Sequence, residues 1–134
     1  MVKRLEEHVD TKRIVAAIEA AERSTTGHIR VSLSHHFRSS ARKMAERAFV
    51  KLGLHKAPAR NGVLIFVVPS RREFVILGDA AIHEKVGQEF WDRVSAAISD
   101  RIRAGDLTSG LVHGVEEAGR ELAAHFPAPV RGQA

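Results

Sequence analysis

The sequence predicts an α/β fold, a three-layer α/β/α sandwich in which helices cover both faces of a small mixed sheet. Three observations lead there. Val63-Leu-Ile-Phe-Val-Val68 is an unbroken apolar, β-branched and aromatic run, which a strand needs when both its faces are covered. Two strand-like stretches stand in sequence on either side of it, His28–Ser34 and Glu73–Leu77. Four further stretches carry apolar residues at helical spacing, one ahead of the first strand, one between the first two and two after the last.

The first helix starts at Asp10 or Thr11, either of which can cap it. Ile14, Ala17, Ile18 and Ala21 form its apolar stripe, and Gly27 is its expected stop after Ser24-Thr-Thr26. Ile29, Val31 and Leu33 then alternate with His28, Arg30, Ser32 and Ser34, the period-two pattern of a strand with one apolar face. From Ser39 or Ser40 to Leu52 the period returns to helical. Ala41, Met44, Ala45, Ala48, Phe49 and Leu52 fall on one face, Arg42, Lys43, Arg47 and Lys51 on the other, and Gly53 ends the helix. Lys56–Gly62 reads as a loop, because Pro58 lacks a donor and Asn61-Gly62 tolerates positive φ.

The run Val63–Val68 is placed at the centre of the sheet. Pro69–Arg72 turns the chain into Glu73–Leu77, its expected antiparallel hairpin partner. Ile82, Val86, Phe90, Val94, Ile98 and Ile102 step by four, which predicts a helix over His83–Arg103. Ala104-Gly105-Asp106 interrupts it. Leu111, Val115, Ala118, Leu122 and Phe126 line a last helix that stops before Pro127. Gly110 and Gly114 on that helix, with Gly119 beyond, predict close approach to a neighbouring element.

A chain of 134 residues is the size of one domain. The expected core is about residues 10–126, with 127–134 as a flexible tail. With 44% hydrophobic and 28% charged residues the composition is that of a globular protein. The absence of cysteine excludes disulfides, zinc–thiolate sites, iron–sulfur clusters and a cysteine nucleophile. The basic N-terminus is followed by no apolar segment, and no apolar run is long enough to span a bilayer, so a soluble, cytoplasmic protein is expected. The net charge of +5 is concentrated: Arg30, Arg38, Arg42, Lys43, Arg47, Lys51, Lys56 and Arg60 stand against Glu46 alone.

Glu22–Leu33, Arg60–Val68, Phe74–Asp79 and Arg103–Leu111 resemble, in order, the signatures of the TPM domain family of thylakoid-lumen, photosystem-repair and receptor-modulator proteins. The resemblance runs from about Asp10 to Phe126. It implies an α/β sandwich. It also implies kinship with members that are acid phosphatases or calcium binders, many of them membrane-anchored and encoded near LemA-type proteins. This chain resembles the short soluble, bacterial-type branch, since it has no export signal, transmembrane tail or Asp-rich segment.

Asn61, Asp79, His83 and Asp106 fall at or beside these signatures, and are expected to converge at one edge of the sheet. Such oxygen ligands would suit calcium or magnesium, with His83 able to serve a transition metal or to transfer a proton. Turn and capping roles account for Asn61, Asp79 and Asp106 without a ligand. His83-Glu84-Lys-Val-Gly87 is no zincin motif, because Gly87 stands where the second histidine belongs. Adjacent His35 and His36 near a strand end point to opposite faces, which disfavours joint chelation. Ser70 beside Arg71 and Arg72 reads as a turn serine, and no phosphate-binding glycine loop, nucleophile elbow or calcium loop is present.

Three functions remain open. The first is a non-catalytic binding or accessory module, working through the loop edge around Asn61, Asp79 and Asp106 or through the basic helix, that takes a protein partner, a LemA-type one by resemblance. The second is a weak divalent-metal-dependent acid phosphatase in which Arg60 or Arg71 steadies phosphate. The third is attachment to anionic surfaces through the basic helix, where Arg42, Arg47 and Lys51 are the anion-binding candidates. Phe37 is the one aromatic near the basic run outside the helix's apolar stripe, which speaks against a nucleic-acid stacking platform.

Overall fold

A computed structural model describes residues 9–35 and 39–129. It contains α1 (Thr11–Glu22), β1 (His28–Leu33), α2 (Ala41–Lys51), β2 (Gly62–Val68), β3 (Glu73–Gly78), α3 (Ala80–Arg103) and α4 (Leu107–His125). The sheet has the order β1-β2-β3 and is mixed: β1 runs parallel to β2, while β3 is its antiparallel partner. The parallel pair follows from the crossover through α2, whereas the short turn Pro69–Arg71 returns the chain antiparallel. Every residue of β2 is buried, as its unbroken apolar run requires.

Alternation along the strands sorts two cores. Ile29, Val63, Ile65 and Val67 face α1, α3 and α4 with Ile82, Phe90, Trp91, Ile98, Leu111 and Leu122. Leu64, Phe66 and Val68 face α2 with Ala41, Ala45 and Leu54. Gly114 and Gly119 allow the close approach expected of them: a Cβ on Gly114 would lie 2.8 Å from Ile98 Cδ1 and 2.9 Å from Ile65 Cδ1, and one on Gly119 would lie 2.7 Å from Ala21 Cβ.

Four sequence expectations need correction. The first helix ends at Glu22, and Gly27 lies past a turn in which the Thr25 hydroxyl accepts its N–H. The left-handed residue of the loop before β2 is Arg60 (φ 51°), not the Asn-Gly pair, and its N–H is held by the Ala57 carbonyl at 2.9 Å. Leu52 closes α2 as an exposed C-cap instead of completing its apolar stripe. The third helix begins at Ala80 and is kinked at Gly87 (φ 76°, ψ 167°), a conformation that breaks the ladder within a stripe of otherwise continuous period. Past α4, Pro127 bridges Thr25 and the Ala128 N–H reaches the Ser24 carbonyl at 3.1 Å, while residues 130–134 of the expected tail lie outside the described residues.

Candidate functional site

Asn61 and Asp79 stand at one end of the sheet, where β2 begins and β3 ends. Asn61 is 1% exposed, and its Nδ2 donates to Thr26 Oγ1 at 3.1 Å. Asp79 caps α3: Oδ1 accepts the Ala80 N–H at 2.7 Å and Arg60 Nη2 at 2.9 Å, while Oδ2 accepts Arg60 Nε at 2.8 Å. This two-point hydrogen bond with Arg60 holds the Asp79 carboxyl below the usual carboxylate range. Partial burial opposes the shift; the Ala80 N–H, the guanidinium charge and His55 assist it. The Arg60 pKa is raised in turn by the same contact. The Arg60 carbonyl also accepts the Ala81 N–H at 3.1 Å, so loop, strand end and helix start are tied by one residue.

His83 lies exposed in the first turn of α3, where its Nδ1 accepts Trp91 Nε1 at 3.1 Å. Asp106 does not join the others. It caps α4 through the Ser109 N–H at 2.9 Å, just past the C-terminus of α3. That end of α3 sits against Arg72 and Phe74 at the start of β3, and the length of β3, about 20 Å of strand, separates it from Asp79. The expected convergence of the four residues is therefore not met. Each of the two carboxylates is spent on a helix cap, and among the described residues no three His, Asp or Glu side chains group as metal ligands. A hollow of about 300 Å³ beside Arg60 and Asp79 is lined by Phe49, Val50, His55 and Leu77. The His55 Nδ1 there is buried with no hydrogen-bond partner.

The anion-binding candidates separate in the same way. Arg60 is committed to Asp79, and Arg71 to Glu73 at 2.7 Å and to the Ser39 carbonyl at 2.8 Å. Arg42 leans to Glu46 at 3.6 Å. Arg47 and Lys51, one turn apart, have no carboxylate within ion-pair distance among the described residues. Both border a cleft of about 440 Å³ between α2 and β1, with Ser32 and Ser34 on the strand side and Met44 and Phe66 on the apolar floor. The cleft exists because α2 packs over β2 and β3 and leaves the same face of β1 uncovered. Its lining holds cations and hydroxyls but no carboxylate.

Sequence reasoning found the cations and missed the cleft. The signal was the polar alternate face of β1, Arg30-x-Ser32-x-Ser34, which needed the offset of α2 to acquire meaning.

A family model described as the TPM domain matches residues 7–121. The chain is similar to the solved BA42 protein from the psychrophilic bacterium Bizionia argentinensis, at 36% sequence identity over 91% of this chain and 86% of that one, with a TM-score of 0.83. It also shares its fold with the N-terminal domain of the cg2496 protein from Corynebacterium glutamicum, at 17% identity over 88% of this chain and 74% of that one, with a TM-score of 0.66. No curated protein matches it.

Proposed function

The chain belongs to the TPM domain family, and from that premise we propose that it acts as a non-catalytic binding module taking an acidic protein segment at α2. One observation carries this reading: Lys43, Arg47 and Lys51 form a row beside Val50, which is 57% exposed, and none of the three cations has a carboxylate partner among the described residues. Glu46, paired with Arg42 at 3.6 Å, also borders Val50, so cations outnumber the single carboxylate there; such apolar area gains from burial against a surface that is itself acidic, and complementary charge also steers the encounter. The reading is further supported by the carboxylates that a metal-dependent phosphatase would require, which lie at opposite ends of the sheet and are engaged in capping.

The test is affinity capture followed by titration with the purified partner, comparing wild type with Lys43→Glu/Arg47→Glu. Reversing two charges is expected to weaken binding about tenfold or more and to flatten its salt dependence. Affinity unchanged by the reversal would refute the proposal.

A further inference from the structure

β1 is an edge strand, and its outer side is protected over only part of its length. In the parallel ladder with β2, the His28 N–H goes to the Asn61 carbonyl and the Ser34 N–H to the Val67 carbonyl. That register turns the backbone groups of His28, Arg30 and Ser32 toward β2, and those of Ile29, Val31 and Leu33 outward. At Ile29 both outward groups are occupied. Its N–H reaches Glu22 Oε2 at 2.8 Å, its carbonyl accepts Arg30 Nη1 at 2.7 Å, and Arg30 and Glu22 are themselves paired at 3.0 Å. Two side chains thus close the first half of the edge, a device that keeps strands from pairing with other chains.

No such cover stands over Val31 and Leu33 among the described residues. The open half of the edge is the half beside the cationic cleft. Ser32 and Leu33 line that cleft, with Arg47 and Lys51 on its far wall.

We propose that an acidic, extended segment of a partner protein adds to the sheet as a further strand alongside β1, its backbone pairing with Val31 and Leu33 and its alternate carboxylates entering the cleft toward Arg47 and Lys51. This deepens the proposed function and rests on it. Strand addition draws affinity from main-chain hydrogen bonds and specificity from pockets that accept every second side chain, and both parts are side by side here. Charge selects the occupant. Arg47 and Lys51 are like charges at i and i+4, an arrangement that disfavours the helix unless a counter-charge approaches, and the cleft contributes none of its own. Met44 and Phe66 receive the stem of an acidic side chain, while Ser32 offers a hydroxyl donor at the strand wall.

The probe is a short synthetic peptide of alternating glutamate and valine, with its lysine-for-glutamate counterpart as control. Binding to the full chain is measured by titration, and amide hydrogen exchange is read residue by residue. The acidic peptide should bind and the basic one should not. At about ten times its Kd, the peptide should slow exchange of the Val31 and Leu33 amides by about tenfold, leaving the already bonded Ile29 amide nearly unchanged. Arg47→Glu/Lys51→Glu should weaken binding about tenfold or more. Val31→Pro removes one outward N–H without touching the ladder to β2, and should also weaken binding; the exchange measurement decides the matter should that variant not fold.

Binding that the charge reversal weakens while the Val31 and Leu33 amides exchange as before overturns strand addition and leaves the acidic-partner reading standing. No binding of the acidic peptide, or binding indifferent to the charge reversal, removes both.

Discussion

Gly119 tests how α1 is held to the rest of the molecule. A Cβ built there would meet Ala21 Cβ at 2.7 Å, and Ala21 has no longer side chain that could swing away, so relief requires α1 itself to move off α4. Overpacking of this kind costs about 1–3 kcal/mol. Replacing glycine by alanine inside a helix returns about 1 kcal/mol through propensity. Gly119→Ala should therefore destabilise by up to about 2 kcal/mol, and at the heat-unfolding entropy expected for a chain of this size each kcal/mol is worth about 4 °C in Tm. Gly114→Ala is the internal comparison. Its Cβ would meet the terminal methyls of Ile98 and Ile65, which can rotate, so its net cost should be smaller. Urea unfolding of wild type, Gly119→Ala, Ala21→Gly and the double variant completes the cycle. The double variant should be more stable than the sum of the two singles predicts, because Ala21→Gly vacates the space that the new methyl needs. Strict additivity would mean that the Ala21 contact is not the reason a glycine stands at 119.

Three further outcomes follow from the same structure. Asp79 has its carboxyl pKa lowered by Arg60, so its contribution is present above the unfolded value of about 4 and is lost as pH falls through the folded value; the urea-midpoint gap between wild type and Asp79→Asn should narrow on acidification, and a gap that widens would contradict the assigned sign. Gly87→Ala should cost about 1–3 kcal/mol from backbone strain alone, since its φ of 76° is paired with open space around the missing Cβ; a neutral effect in calorimetry would mean that the kink straightens freely. His83→Ala should speed exchange of the indole N–H of Trp91, the sole tryptophan, and lower stability by about 1 kcal/mol; an indole proton that exchanges as before would show that its bond to His83 carries nothing.

The fold was legible because its signals are local. β2 announces itself by an apolar run, α2 and α4 by their stripes, and Asp10, Ser40 and Asp106 by capping chemistry that the structure reproduces, with side chains accepting the N–H groups of Arg13, Lys43 and Ser109. What was not legible depends on distance between segments. Asn61, Asp79, His83 and Asp106 look alike in sequence, each a polar residue at an element end, yet the ends of β3 divide Asp79 from Asp106. In sequence Arg60 is an anion-clamp candidate with no visible partner; the left-handed turn at Arg60 itself delivers it to Asp79, and no periodicity encodes that. The kink at Gly87 was hidden for the opposite reason, since the apolar period continues across it on both sides.

The uncompensated charge at the cleft has a cause in composition and a place given by packing. Several charged residues in this chain are neutralised within their own helix, one turn away: Arg42 with Glu46, Asp100 with Arg103, Glu117 with Arg120. α2 contains Arg42, Lys43, Arg47 and Lys51 but one acid, Glu46, so neutralisation inside the helix stops after a single pair. Any further counter-charge has to come from across the helix surface. On the side of Lys43 and Val50 that surface is open to solvent, and on the side of Arg47 and Lys51 it meets β1, which presents serines there. The surplus would be harmless on a fully solvated face, where water and salt screen it. Here it stands against a strand edge left open at Val31 and Leu33, after Glu22 and Arg30 have closed the part next to them. Protecting one half of an edge costs two charged side chains, and the other half lies in a positive field that discourages pairing with basic segments and leaves acidic ones admissible. Selectivity by charge at an otherwise permissive edge is the property that separates a binding surface from an aggregation hazard.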